Sequence, residues 1–151
     1  EMLLAAREFQ DCKVIMVGTM PENITIPTNM LCVGTIREPE LLAKYYAMVD
    51  VFLNPSVQET FGKTTAEAIC CGTPVVAYNT TACTELVGEM CGKTARLGDQ
   101  MGFLKAVKEV LQKEKIDYEP ALQKFSRENF KMSVNLDEYL CLIKDLKGDN
   151  R

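Results

Sequence analysis

Asp50 to Glu85 reads DVFLNPSVQETFGKTTAEAICCGTPVVAYNTTACTE. Val51-Phe52-Leu53 is a short apolar run suited to a strand covered on both faces, and Asn54-Pro55-Ser56 ends it. Gly62 opens a helix that runs to about Cys71, where Gly72 is a natural C-terminal stop and Pro74 forbids continuation. Pro74-Val75-Val76-Ala77 is then a second apolar strand. Two strands joined through a helix pair in parallel, because the connection crosses the face of the sheet instead of turning back on itself.

The same alternation runs outward in both directions. Residues 2–9 have a helical pattern. Lys13–Gly18 is an apolar run closed by glycine, residues 19–29 are irregular with two prolines, and Met30–Gly34 is another strand. Pro39 occupies a first helical position, with a helix following over 40–48. Downstream, the pattern predicts a helical turn over 82–87, an edge strand at Thr94-Ala95-Arg96 and a helix from about 100 to 113 capped by Asp99. Helices near 119–128 and 133–146 close the chain. Repeated β-α units with near-continuous apolar strands predict an α/β fold: a doubly wound, Rossmann-like parallel sheet flanked by helices. Residues 1–151 show no linker or repeat, so a single domain is expected, burying roughly 68–70% of its unfolded surface. The opening stretch Glu1–Phe9 reads as the middle of a helix, which predicts a piece of something longer.

Composition narrows the chemistry. Apolar residues make up 47% and charged residues 25%, as in soluble globular proteins. The net charge of −4 and the lack of any basic run exclude a nucleic-acid footprint. No apolar stretch reaches bilayer length and no basic start precedes an apolar region, so a cytoplasmic protein is expected. The seven cysteines lack Cys-x-x-Cys spacing and read as reduced thiols. Without histidine, the chain has no imidazole for a triad, a metal site or acid–base work. No Asp-x-Asp pair is present to hold Mg²⁺; no metal site and no cofactor are expected.

The loop 56–62 leaves the carboxyl end of a parallel strand, where open α/β sheets bind ligands. A helix starting near Gly62 presents unpaired N–H groups to an anion, and glycine lets a phosphate or sugar approach the backbone. Thr64 and Thr65 add hydroxyl donors in the first turn. Thr64 and Glu67, three apart, share one helix face. An ionised carboxylate only accepts hydrogen bonds, so it complements a vicinal diol and opposes a phosphate. Glu59 and Glu67, eight positions apart around one anion-binding helix start, therefore imply a sugar on each side of a diphosphate, which is the shape of a nucleotide sugar. The helix start alone is too weak for this task. Its half charge stabilises an anion by about 0.3–1 kcal/mol, and Lys63 is the one nearby cation in the sequence. Further basic groups must come from elsewhere.

With these residues in view, the chain resembles the C-terminal half of a GT-B glycosyltransferase, the retaining family called glycosyl transferases group 1. The family pattern E-x-F-G-x-x-x-x-E-A-x-x-x-G-x-P-V-V is met by Glu59, Phe61, Gly62, Glu67, Ala68, Gly72, Pro74, Val75 and Val76. Asp50–Ser56 is similar to the family's strand leading into that loop. The resemblance implies that Glu59 positions the donor sugar for catalysis. Thr60, Phe61, Gly62 and Lys63 would line sugar and diphosphate, Thr64 would bond a phosphate, and Glu67 would hold the ribose hydroxyls. Gly34, Thr35 and Ile36 would lie near the base. The implied ligand is a UDP- or GDP-linked sugar. The implied partner is an N-terminal acceptor domain which, with the first strand of this half and its Arg and Lys on the diphosphate, would precede Glu1. Any peripheral membrane association would come only through that domain, and the role would be in surface polysaccharide or glycoconjugate assembly.

One departure stands out. Where the family places Gly-Gly, this chain has Thr81-Ala82-Cys83-Thr84-Glu85, whose side chains would either narrow the donor pocket or alter the donor it takes. Three other readings compete: a GT-B epimerase of nucleotide sugars, a donor-binding subunit of a split glycosyltransferase, and a phosphate-sensing regulatory domain.

Overall fold

The computed structural model describes residues 1–88 and 90–131. The helix expected over 133–146 lies outside them. The described elements, in chain order, are α1 (Met2–Glu8), β1 (Val14–Val17), β2 (Met30–Gly34), α2 (Pro39–Met48), β3 (Phe52–Asn54), α3 (Lys63–Cys70), β4 (Val75–Tyr78), α4 (Thr81–Leu86), β5 (Gly92–Ala95), α5 (Gln100–Leu111) and α6 (Lys115–Asn129). All strand pairings between these elements are parallel, in two ladders: β1 with β2, and β3–β4–β5. The α/β architecture is as expected from the sequence, with β5 at an edge and the single expected sheet divided between β1 and β3.

Local chemistry places the helix ends. Pro39 starts α2, where its missing N–H costs nothing. Asp99 caps α5 by accepting the Gly102 N–H at 2.8 Å. Gly72, with φ +74°, follows the end of α3 in the left-handed conformation that halts a helix. The core centres on β4, whose Val75, Val76, Ala77 and Tyr78 are all buried, with α3 and α5 packed against it. The Tyr78 and Phe103 rings meet at 5.0 Å.

One helix differs from the sequence expectation. α6 begins at Lys115, ahead of the expected 119, and carries Pro120 inside it. Tertiary contacts override the local preference. Lys115 Nζ donates to the carbonyls of Ala47 (2.5 Å) and Val49 (2.9 Å), covering the end of α2, while Tyr118 and Leu122 are buried. All six cysteines among the described residues are free, and burial pushes the Cys91 thiol up to about 11.

Burial, then a 2.8 Å hydrogen bond donated to Glu1, pushes the Tyr78 phenol up to about 12. An unfolded tyrosine ionises near pH 10, so between pH 10 and 12 the unfolded chain has lost a proton that the native chain keeps. Stability is then expected to be constant up to about pH 10 and to fall from there towards pH 12. Urea midpoints at pH 9 and pH 11 test this. Tyr78→Phe should flatten the decline, and an unchanged decline would exclude Tyr78 as a source.

Candidate functional site

The loop leaving β3 is organised by one buried side chain. The Asn54 carboxamide oxygen accepts the Ser56 N–H at 3.1 Å, an Asx-type turn that redirects the chain. Its Nδ2 donates to Thr65 Oγ1 at 2.9 Å and lies 3.5 Å from Glu59 Oε1 and 3.7 Å from Cys83 Sγ. Asn54 thereby joins the strand end, the first turn of α3, the Glu59 carboxylate and α4. Asn54→Ala is expected to cost about 2–3 kcal/mol, because buried polar partners lose their bonds. The urea midpoint measures it, and a loss within about 0.5 kcal/mol would mean that water replaces those bonds.

Gly62 sits before α3 with φ +76° and ψ +47°, a left-handed conformation in which glycine has no Cβ penalty. A Cβ there would come 3.0 Å from Leu86 Cδ1, so glycine also permits α4 to close on the turn. Having no side chain, Gly62 supplies no cap to the helix amides. The amides of Lys63, Thr64 and Thr65 have no acceptor within the helix. The two threonines then part company. Thr64 is exposed, whereas Thr65 is wholly buried with its hydroxyl held by Asn54. The expectation that both offer hydroxyls to a ligand is corrected for Thr65: one residue is 100° of helix rotation, and Thr65 lies on the inward stripe with Ala68 and Ile69.

Glu67 stands on the other side of α3, toward α2. Tyr46 OH donates to its Oε2 at 3.2 Å, and Lys63 Nζ lies 3.7 Å from Oε1. Lys63 is 84% exposed, so that pair contributes little to stability. Burial, then the adjacent Glu67 carboxylate, raises the Tyr46 phenol above its ordinary range, and Tyr46 remains a donor to Glu67. The two acids are thus secured differently: Glu59 through Asn54 toward α4, Glu67 through Tyr46 toward α2.

The remaining expected residues surround this start. Thr35 and Ile36, which follow β2, share one cavity of about 750 Å³ with Thr64, Pro55 and Gly18. Gly34 has φ +73°, and its carbonyl accepts the Gly18 N–H at 2.8 Å, tying the carboxyl ends of β1 and β2 together. Thr60 is exposed on the loop. The Phe61 ring is half-exposed and meets Phe130 edge-on at 6.4 Å, with Phe130 in turn against Phe125 at 5.7 Å. That aromatic link from the loop to the end of α6 has no local sequence signal, and neither does Asn54 as a hub. The Thr81–Glu85 stretch lies in α4. There Cys83 is buried, and Thr84 Oγ1 donates to Asn79 Oδ1 at 2.6 Å.

The family model described as glycosyl transferases group 1 matches residues 2–113, most of the chain and all of this site. The chain belongs to the glycosyl transferases group 1 family. It is 34% identical over 104 residues to a GDP-mannose-dependent alpha-mannosyltransferase of Mycolicibacterium smegmatis, a match covering 67% of this chain and 26% of that protein. It is 28% identical over 92 residues to an alpha-monoglucosyldiacylglycerol synthase of Streptococcus pneumoniae, covering 55% and 21%. Solved structures with this fold include two complexes. The pneumococcal O-GlcNAc transferase GtfA, in complex with UDP and GlcNAc, superposes with TM-score 0.72 at 16% identity, over 95% of this chain and 31% of its own. Anabaena Alr3699/HepE, in complex with UDP-glucose, gives 0.69 at 19% identity, over 95% and 44%. This group 1 chain therefore has the fold of part of a GT-B glycosyltransferase and spans about a quarter of the curated mannosyltransferase it matches. No helix among its described residues is long and apolar enough to cross a membrane.

Proposed function

We propose that this chain is the donor-binding domain of a retaining glycosyltransferase and holds a UDP- or GDP-linked sugar at the start of α3. The observation that carries this is the arrangement at Gly62: open helix amides, with Glu59 and Glu67 anchored on opposite sides. The amides of Lys63 and Thr64 and the Thr64 hydroxyl take the diphosphate. Glu67 accepts both hydroxyls of the ribose, and Glu59 accepts hydroxyls of the donor sugar. Thr35 and Ile36, across the shared cavity, lie on the base side. One relative is GDP-mannose-dependent, and two structural neighbours are complexes with UDP or UDP-glucose; both support a nucleotide diphosphate ligand and leave both bases in play.

In the transfer, the bond between the anomeric carbon and the phosphate oxygen breaks, and a bond from the acceptor oxygen to that carbon forms on the same face. The acceptor's proton passes to the leaving phosphate, so the products are a glycoside and a nucleoside diphosphate. Helix amides stabilise the charge that develops on the leaving group. The acceptor site and the remaining cations belong to an N-terminal domain of the whole enzyme, and the setting is cytoplasmic polysaccharide or glycoconjugate assembly. Calorimetric titration of UDP, GDP and their sugars into the 151-residue chain should give a Kd on the order of 0.1–1 mM for at least one nucleotide. No sugar transfer should occur without the N-terminal domain. Absence of heat with every nucleotide and nucleotide sugar, or turnover by this chain alone, would contradict the proposal.

A further inference from the structure

Glu67 has two partners among the described residues, and they hold it unequally. Lys63 Nζ, 3.7 Å from Oε1, is carried on an exposed side chain four residues away on the same helix. An ion pair of that kind is screened by water and fixes no direction. The Tyr46 phenol, which donates to Oε2 at 3.2 Å, is carried on a buried side chain of α2.

Tyr46 is itself fixed from three elements. Its ring meets Phe52 of β3 edge-on, with centroids 5.3 Å apart. Its carbonyl accepts the hydroxyl of buried Thr73, between α3 and β4, at 2.5 Å. Lys115 of α6 covers the carbonyls of Ala47 and Val49 just beyond it. A phenylalanine would keep all three contacts, because none of them involves the phenol oxygen. What the hydroxyl adds at this position is the hold on Glu67. Burial, then the Glu67 charge, raises the phenol's pKa, so the proton that makes the bond stays in place at neutral pH.

The terminal torsion of a glutamate is broad, so a free carboxylate samples many planes. It meets two neighbouring hydroxyls with both oxygens in only some of them. A donor fixed on one oxygen removes that freedom before the ligand arrives, which lowers the cost of binding. Each carboxylate oxygen has two acceptor positions. Oε2 can therefore keep the phenol and accept one ribose hydroxyl while Oε1 accepts the other. Given Glu67 as the ribose acceptor proposed above, on which this rests, we propose that Tyr46 is a positioning residue: its phenol sets the plane of the Glu67 carboxylate, and the preference of this chain for nucleotides that carry both ribose hydroxyls depends on it. Tyr46 acts through Glu67 and does not itself touch the sugar.

NMR-monitored titrations of UDP, GDP and their 2′,3′-dideoxy analogues into the parent and Tyr46→Phe test this. The parent should bind its better ribonucleotide at least about 10-fold more tightly than the dideoxy form. Tyr46→Phe should weaken the ribonucleotide about 3- to 10-fold and leave the dideoxy form within about 2-fold of the parent. In a Glu67→Ala background the same substitution should change neither affinity, because its route to the ligand is gone. Equal weakening of both ligands, or a ribose preference that survives in Tyr46→Phe, would overturn the role of Tyr46 and leave Glu67 as the ribose acceptor. A parent with no ribose preference would overturn the assignment of Glu67, and the role of Tyr46 with it.

Discussion

Gly92→Ala is expected to leave the chain largely unfolded. Gly92 opens β5 at φ +152°, and a Cβ built there falls 1.8 Å from the Val75 carbonyl oxygen and 2.8 Å from the Val75 nitrogen and carbon. Those atoms belong to the backbone of β4 and to the pairing of Val75 with Gly92, so no side chain can swing aside. Relief requires parting β5 from β4, the most completely buried of the described strands. A loss of more than about 4 kcal/mol is expected, against a total stability of about 5–15 kcal/mol for a domain. Gly88→Ala is the control, with open space around its Cβ and no strained φ. Circular dichroism and urea titration should show Gly88→Ala within about 0.5 kcal/mol of the parent and Gly92→Ala without a cooperative transition. A folded Gly92→Ala protein of parental stability would mean that the register of β4 and β5 is wrong.

The second large effect separates the two acids. On the proposed function, Glu67→Ala removes the carboxylate that accepts the two ribose hydroxyls, and hydrogen bonds to a charged group contribute about 1.5–3 kcal/mol. Affinity for UDP or GDP should fall about 10- to 100-fold. The nucleotide sugar should lose the same factor, since it carries the same ribose. Glu59→Ala should leave the free nucleotide unaffected and weaken only the sugar-bearing ligand. Because Glu67 also accepts from Tyr46, the urea midpoint of Glu67→Ala must be followed in parallel. Glu67→Gln can keep that bond through its amide oxygen and should fall between parent and Glu67→Ala in nucleotide affinity. Equal losses of free nucleotide from Glu59→Ala and Glu67→Ala would refute the division of labour.

Much of this was legible in the sequence, because the signals were local. An apolar run closed by Gly18 or Gly34 is a strand, Pro39 starts a helix, Asp99 caps one, and Gly62 and Gly72 bracket α3. The motif from Glu59 to Val76 singles out both acids by spacing but not what holds them: Tyr46 is 21 residues from Glu67, and Asn54, beside Glu59, reaches Cys83 29 residues on. Such partners are chosen by packing and leave no periodic trace. The inward turn of Thr65 was readable in principle from its spacing to Ala68 and Ile69, but its hydroxyl suggested a ligand contact instead. The early start of α6 was hidden by Pro120, whose local cost is outweighed by buried Tyr118 and by Lys115 at the end of α2. The division between β1 and β3 is a property of the assembled sheet, and strand patterns read one at a time do not contain it.

The proposed function requires backbone amides at the start of α3 to grip a diphosphate. Titrating UDP and GDP into ¹⁵N-labelled protein, with amide shifts followed by NMR, reads that contact residue by residue. The largest perturbations should fall on Lys63 and Thr64, with Thr35 and Ile36 moving as the base enters. Perturbations confined to other surfaces, with Lys63 and Thr64 still at saturation, would contradict it.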